Sequence, residues 1–95
     1  MEFKQSAHRH GITVTEIEIV VAYPLVRVAL AARQADALPV LHIGAAGENE
    51  PHIEVIIDVA PVVPVVFHAM MLRPSTVANN GIGDHFRPNY SRQRR

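Results

Sequence analysis

The stretch Val62–Arg73, VVPVVFHAMMLR, constrains this chain more than any other. From Val65 it alternates as a strand does. Val65, Phe67 and Ala69 fall on one face, and Val66, His68 and Met70 on the other. Arg73 stands at its exit and Pro74 ends it. Upstream, His52–Asp58 alternates in the same way. Ile53, Val55 and Ile57 share one face, and His52, Glu54, Ile56 and Asp58 the other. Two such runs joined by VAPVVP, a turn with two prolines, predict antiparallel partners. The valines of that turn either tuck over the sheet edge or form an apolar patch for a partner.

The remaining elements fall around this pair. Lys4–His10 reads as a short helix closed by Gly11. Thr13-Val14-Thr15-Glu16 has capping-box spacing, and Pro24 supplies a stop; start and stop together predict a helix over Val14–Tyr23. The alternation of Ile17, Ile19 and Val21 is the competing signal for a strand. Leu25–Ala31 and Val40–Ile43 read as two further strands, with Leu41 and Ile43 facing in and His42 out. The core should hold Ile17, Leu41, Ile53, Val55 and Phe67. After Pro74 periodicity is lost, so residues 1–74 read as one domain and residues 75–95 as a mobile basic tail.

Composition narrows the chemistry. Ninety-five residues suffice for one small domain with an aliphatic core. There is no cysteine, so a thiolate zinc site, a disulfide framework and a cysteine nucleophile are all excluded. The N-terminus is polar and no run is long enough to span a bilayer, which points to the cytoplasm and away from a membrane partner. Charge is uneven. Residues 12–72 set Arg27 and Arg33 against seven carboxylates, whereas residues 73–95 set five arginines against Asp84. Basic ends on an acidic body suit a polyanion, or are simply solvated.

The ordered set Arg9-His10-Gly11-Ile12, Tyr23-Pro24-Leu25, His42-Ile43-Gly44, Glu54-Val55-Ile56-Ile57 and Val66-Phe67-His68-Ala69-Met70, with Arg73 following, resembles the BrnT-like toxin family. These are small toxins of type II toxin–antitoxin operons, and the resemblance covers about Gln5–Pro74. It implies a RelE-like α+β fold, with an N-terminal helix or helices packed on a small antiparallel sheet of three to four strands, followed here by a disordered tail. It implies metal-independent RNA cleavage and neutralisation by a cognate antitoxin, with oligomers arising through that complex. The family's usual lysine in the opening corresponds to Arg9. Its arginine near the end of the last strand falls at Met70, so that the nearest guanidinium is Arg73.

The residues fit that chemistry. RNA cleavage without a metal needs a base for the 2′-hydroxyl, an acid for the 5′-oxygen and cations for the crowded phosphate. Histidine suits the proton transfers and arginine the phosphate. The candidate catalytic residues are therefore His10, His68, Glu54 and Arg73, with Glu54 orienting His68. Lys4, Arg9 and Arg73 are candidates for phosphate contact. If Ile57 pairs Val65 and Ile43 pairs Ile53, then His42, Glu54 and His68 form one cross-strand row. That row also fits the polar face of a half-buried sheet and, with much less weight, a His-Glu-His metal site, and one slip in register destroys it. His8-Arg9-His10 is either a chelating pair or a solvated, phosphate-touching segment. No glycine-rich phosphate loop or serine elbow is present, and no cofactor or metal is implied. The rival to a ribonuclease is a non-catalytic toxin-like module that binds protein or RNA, which Met70 and the VAPVVP loop favour.

Overall fold

The capping box forms as its spacing requires. In the computed structural model, which describes residues 1–94, Thr13 Oγ1 accepts from the Glu16 N–H at 3.1 Å. The Glu16 carboxylate accepts from the Thr13 N–H at 3.0 Å. This box starts helix α1, Val14–Ala22, which ends at Tyr23 before Pro24. Its buried residues are Ile17 and Val20, so the helix wins over the competing strand because an apolar stripe and a cap act together.

Five strands make the sheet: β1 (Glu2–Phe3), β2 (Val26–Ala29), β3 (Pro39–Ala45), β4 (His52–Asp58) and β5 (Val65–Met71). Their order is β1-β5-β4-β3-β2. A second helix, α2, spans Pro74–Asn79, with proline in its first turn, where the missing N–H costs nothing. One apolar layer joins Ile17 and Val20 of α1 to Ile53, Val55, Ile57, Val66, Ala69 and Met71. On the other face Leu41, Ile43, Leu72, Val77 and Ile82 form a second layer.

The expected RelE-like arrangement is corrected by these features. The sheet has five strands instead of three or four, and it is mixed because β1 runs parallel to β5. The chain opens on a strand and a 3-10 turn at Gln5–His8, not on an α-helix. A two-residue strand carries too little periodicity to be read from sequence. The mobile tail is corrected too. Val77 and Ile82 are buried, and beyond them the Asn89 N–H donates to His52 Nδ1 at 2.8 Å. Gln93 Nε2 donates to the Met71 carbonyl at 2.8 Å, and the Arg94 guanidinium clasps Glu16 at 2.6 and 2.8 Å. Arg95, counted with the basic tail, lies outside the described residues.

Register departs from the expected one. Ile43 pairs Glu54 and His42 pairs Val55, one residue away from the expected alignment. His42 therefore turns to the α1 side and is buried, its Nδ1 3.1 Å from the Val40 carbonyl. Burial lowers its pKa, as burial also does for His52. Between β4 and β5 the ladder shifts at Ile56/Ile57: Ile57 pairs Val66, whereas Ile56 pairs His68. Phe67 is the extra residue of a bulge. Alternation breaks there, and Phe67 leaves the core face that Val66 and Ala69 share. The valines of VAPVVP face outward, with Val62 102% exposed.

Candidate functional site

Glu54 is the base of the site. It sits in mid β4 on the face away from α1, paired with Met70, and its side chain is 0% exposed. The expected row placed it on an open face; α2 and the exit of β5 cover it instead. Five donors satisfy the buried carboxylate. His68 Nε2 lies 2.8 Å from Oε2, and Arg73 Nη2 donates to the same oxygen at 2.8 Å. Oε1 takes the Arg73 backbone N–H at 3.0 Å, Arg73 Nε at 3.2 Å and Thr76 Oγ1 at 2.8 Å. Burial pushes this carboxyl upward, but the bonds from His68, Arg73 and Thr76 outweigh it and hold the group at about 2.

A carboxylate only accepts hydrogen bonds, so Nε2 of His68 carries a proton toward Glu54. Neutral His68 is thereby fixed with its Nδ1 lone pair free. His68 and Glu54 are diagonal neighbours across the ladder, not directly opposed, because His68 pairs Ile56. The bulge brings His68 to this face, and its contact with Glu54 depends on that shift.

Above this network lies a cleft of about 660 Å³. His68 lines it from the middle of β5 and Arg73 from just past the strand's end. Lys4, Arg9 and His10 line it from the N-terminal segment, which the parallel β1 pairing ties to β5 through the bond from the Lys4 N–H to the Val66 carbonyl, 2.9 Å. The His10 and His68 rings meet edge to face, centroids 6.2 Å apart. Thus His10, His68, Arg73, Lys4 and Arg9 share one cleft, with Glu54 buried beneath it. The side chain of Arg73 is 43% exposed; its Nε and Nη2 bind Glu54, which leaves Nη1 for an incoming anion. Met70, the position at which the resemblance expects an arginine, is buried, and Arg73 reaches back to the carboxylate from the strand exit.

The row of His42, Glu54 and His68 does not form, since His42 lies across the sheet. No three His, Asp or Glu side chains converge with metal-binding geometry among the described residues. No helix among them is long and apolar enough to cross a membrane.

Three contributors escape sequence reading. Thr76 caps the carboxylate from the first turn of α2; proline at the start of that helix was the available signal. Ser6 Oγ donates to the Phe67 carbonyl at 2.6 Å and braces the bulge, which leaves no mark on sequence. Phe67 itself lines the cleft. Cations able to bind a phosphate, two adjacent histidines and a buried carboxylate that fixes one of them together supply what general acid–base attack on a phosphodiester requires. Compared with family models, curated proteins and solved structures, the chain matches none.

Proposed function

We propose that this chain is a metal-independent ribonuclease, a toxin of the BrnT-like kind acting in the cytoplasm and neutralised by a cognate antitoxin. The observation that carries the reading is Glu54, fully buried and bonded to both His68 and Arg73 at the foot of a cationic cleft. Burying a carboxylate is costly, and here the bonds from His68, Arg73 and Thr76 offset that cost. Here it fixes the tautomer of one histidine and the plane of one guanidinium.

In this reading His68 Nδ1 takes the proton of a 2′-hydroxyl. The 2′-oxygen attacks phosphorus, and the bond to the 5′-oxygen breaks as His10 supplies its proton. The products are a 2′,3′-cyclic phosphate and a free 5′-hydroxyl. The imidazolium formed at His68 is stabilised by Glu54, as a carboxylate stabilises the histidine of a hydrolytic triad. Arg73, Lys4 and Arg9 balance the charge on the equatorial oxygens.

Incubation of the purified protein with RNA in the presence of a chelator should give cyclic-phosphate ends. His68→Ala should slow cleavage by roughly 10²–10⁴-fold with the fold intact. RNA binding without any cleavage would favour the second reading, a non-catalytic interaction module. The outward valines of the VAPVVP loop, a surface a protein partner could cover, favour that alternative.

A further inference from the structure

We infer that the cleft contains a nucleobase subsite in which one base of a single-stranded RNA stacks on Phe67, beside the phosphate held by Arg73, Lys4 and Arg9; the inference rests on the proposed RNA reading. Three observations converge on Phe67. The bulge in β5 takes its side chain off the core face and delivers it, next to His68, into the cleft. Ser6 Oγ holds the Phe67 carbonyl at 2.6 Å, so the turn that supplies Arg9 and His10 also fixes the aromatic residue. The ring is half-buried and takes no part in the aromatic pairs found among the described residues.

The surroundings divide the cleft by chemistry. Leu30 and Ala37 of the β2–β3 connection, Pro39 of β3 and Ile56 of β4 bring apolar surface to it, with Arg33 and Asp58 at their margin, while the N-terminal segment and the β5 exit bring Lys4, Arg9 and Arg73. An aromatic ring with aliphatic neighbours, set against a cationic rim, matches a nucleotide, whose flat apolar base and charged phosphate are covalently joined. Bases inside a duplex are already stacked on their neighbours and their faces are not available, so the subsite selects unpaired strands. A bulge conserves neither register nor core packing, and supplying a base platform gives it a role that packing does not.

The test uses the full chain, a short mixed-sequence 2′-O-methyl oligoribonucleotide that cannot be cleaved, and the same oligonucleotide with one abasic position walked along it. Phe67→Leu, which keeps apolar bulk but removes the π face, should weaken binding by roughly 5–100-fold. Phe67→Trp should retain binding, and its indole fluorescence, the only one in a chain without tryptophan, should be quenched by the oligonucleotide. One abasic position should weaken wild-type binding as much as Phe67→Leu does, and should have no added effect in that variant. Equal binding by wild type and a folded Phe67→Leu protein overturns the subsite, as does an abasic series without a weak position. Cleavage of the unmodified oligonucleotide is scored in parallel. Stacking without cleavage keeps the subsite and removes the nuclease; cleavage insensitive to Phe67→Leu removes the subsite and keeps the nuclease. Neither binding nor cleavage by wild type removes both.

Discussion

Replacing Glu54 by glutamine tests whether the buried charge is what holds the site together. The carboxyl is lowered from 4.5 to about 2, a difference equivalent to roughly 3 kcal/mol in favour of the folded state above pH 4.5. Because the folded value is the depressed one, this stabilisation is complete above the unfolded pKa and is lost as pH falls toward the folded one. Glu54→Gln removes the charge and sets an amide N–H₂ among groups that are all donors. Breaking a buried pair costs about 3–5 kcal/mol, and since the Arg73 side chain is 43% exposed and regains water, the lower end applies. Against the 5–15 kcal/mol of an ordinary domain this is a large share. Urea unfolding of both proteins should show a gap of about 3 kcal/mol at pH 7, or a drop in Tm of roughly 10–20 °C. By pH 3 the gap should narrow by about 2 kcal/mol, because the wild type is by then losing its advantage. Glu16, also held at about 2 by Arg94, titrates in both proteins and cancels from the difference. A gap independent of pH, or no gap at all, would refute the assignment of the stabilisation to the ionised carboxylate.

Ile53→Ala, at a site 1% exposed, should cost about 2–5 kcal/mol, whereas Phe67→Ala should cost less than the roughly 3–5 kcal/mol of a buried phenylalanine; chemical denaturation ranks them. Deleting residues 90–95 should lower Tm by several degrees, through loss of the Gln93–Met71 bond and the Arg94–Glu16 clasp, instead of leaving it unchanged as a solvated tail would. Arg94→Ala alone should cost at most about 1 kcal/mol, because that pair is near the surface. Val62→Asp should change stability by less than about 0.5 kcal/mol in the same assay, and any larger loss would mean that the valine packs against the body.

Local signals in the sequence are sufficient for part of this structure. The Thr13–Glu16 box and Pro24 bound α1 because capping and proline act within a few residues. The alternation in His52–Asp58 separates Glu54 from Ile53 and Val55 because a strand's period is fixed by its backbone, and β4 spans those residues. The histidines, arginines and lysine that meet at the cleft were visible as residue types. Their meeting was not. Register is a property of two strands, and one inserted residue at Phe67 reverses the faces on either side of it without altering the composition of β5. The burial of Glu54 depends on Thr76 and the α2 segment folding back over β4, contacts made some twenty residues away. Beyond the buried Val77 and Ile82, the tail docks by polar bonds to His52, Met71 and Glu16, and such bonds have no sequence period. The sequence by itself thus determined which groups could act and which local elements could form. Tertiary structure alone decided which groups touch, because strand register, a bulge and a covering helix are set by free energies summed over residues distant in the chain.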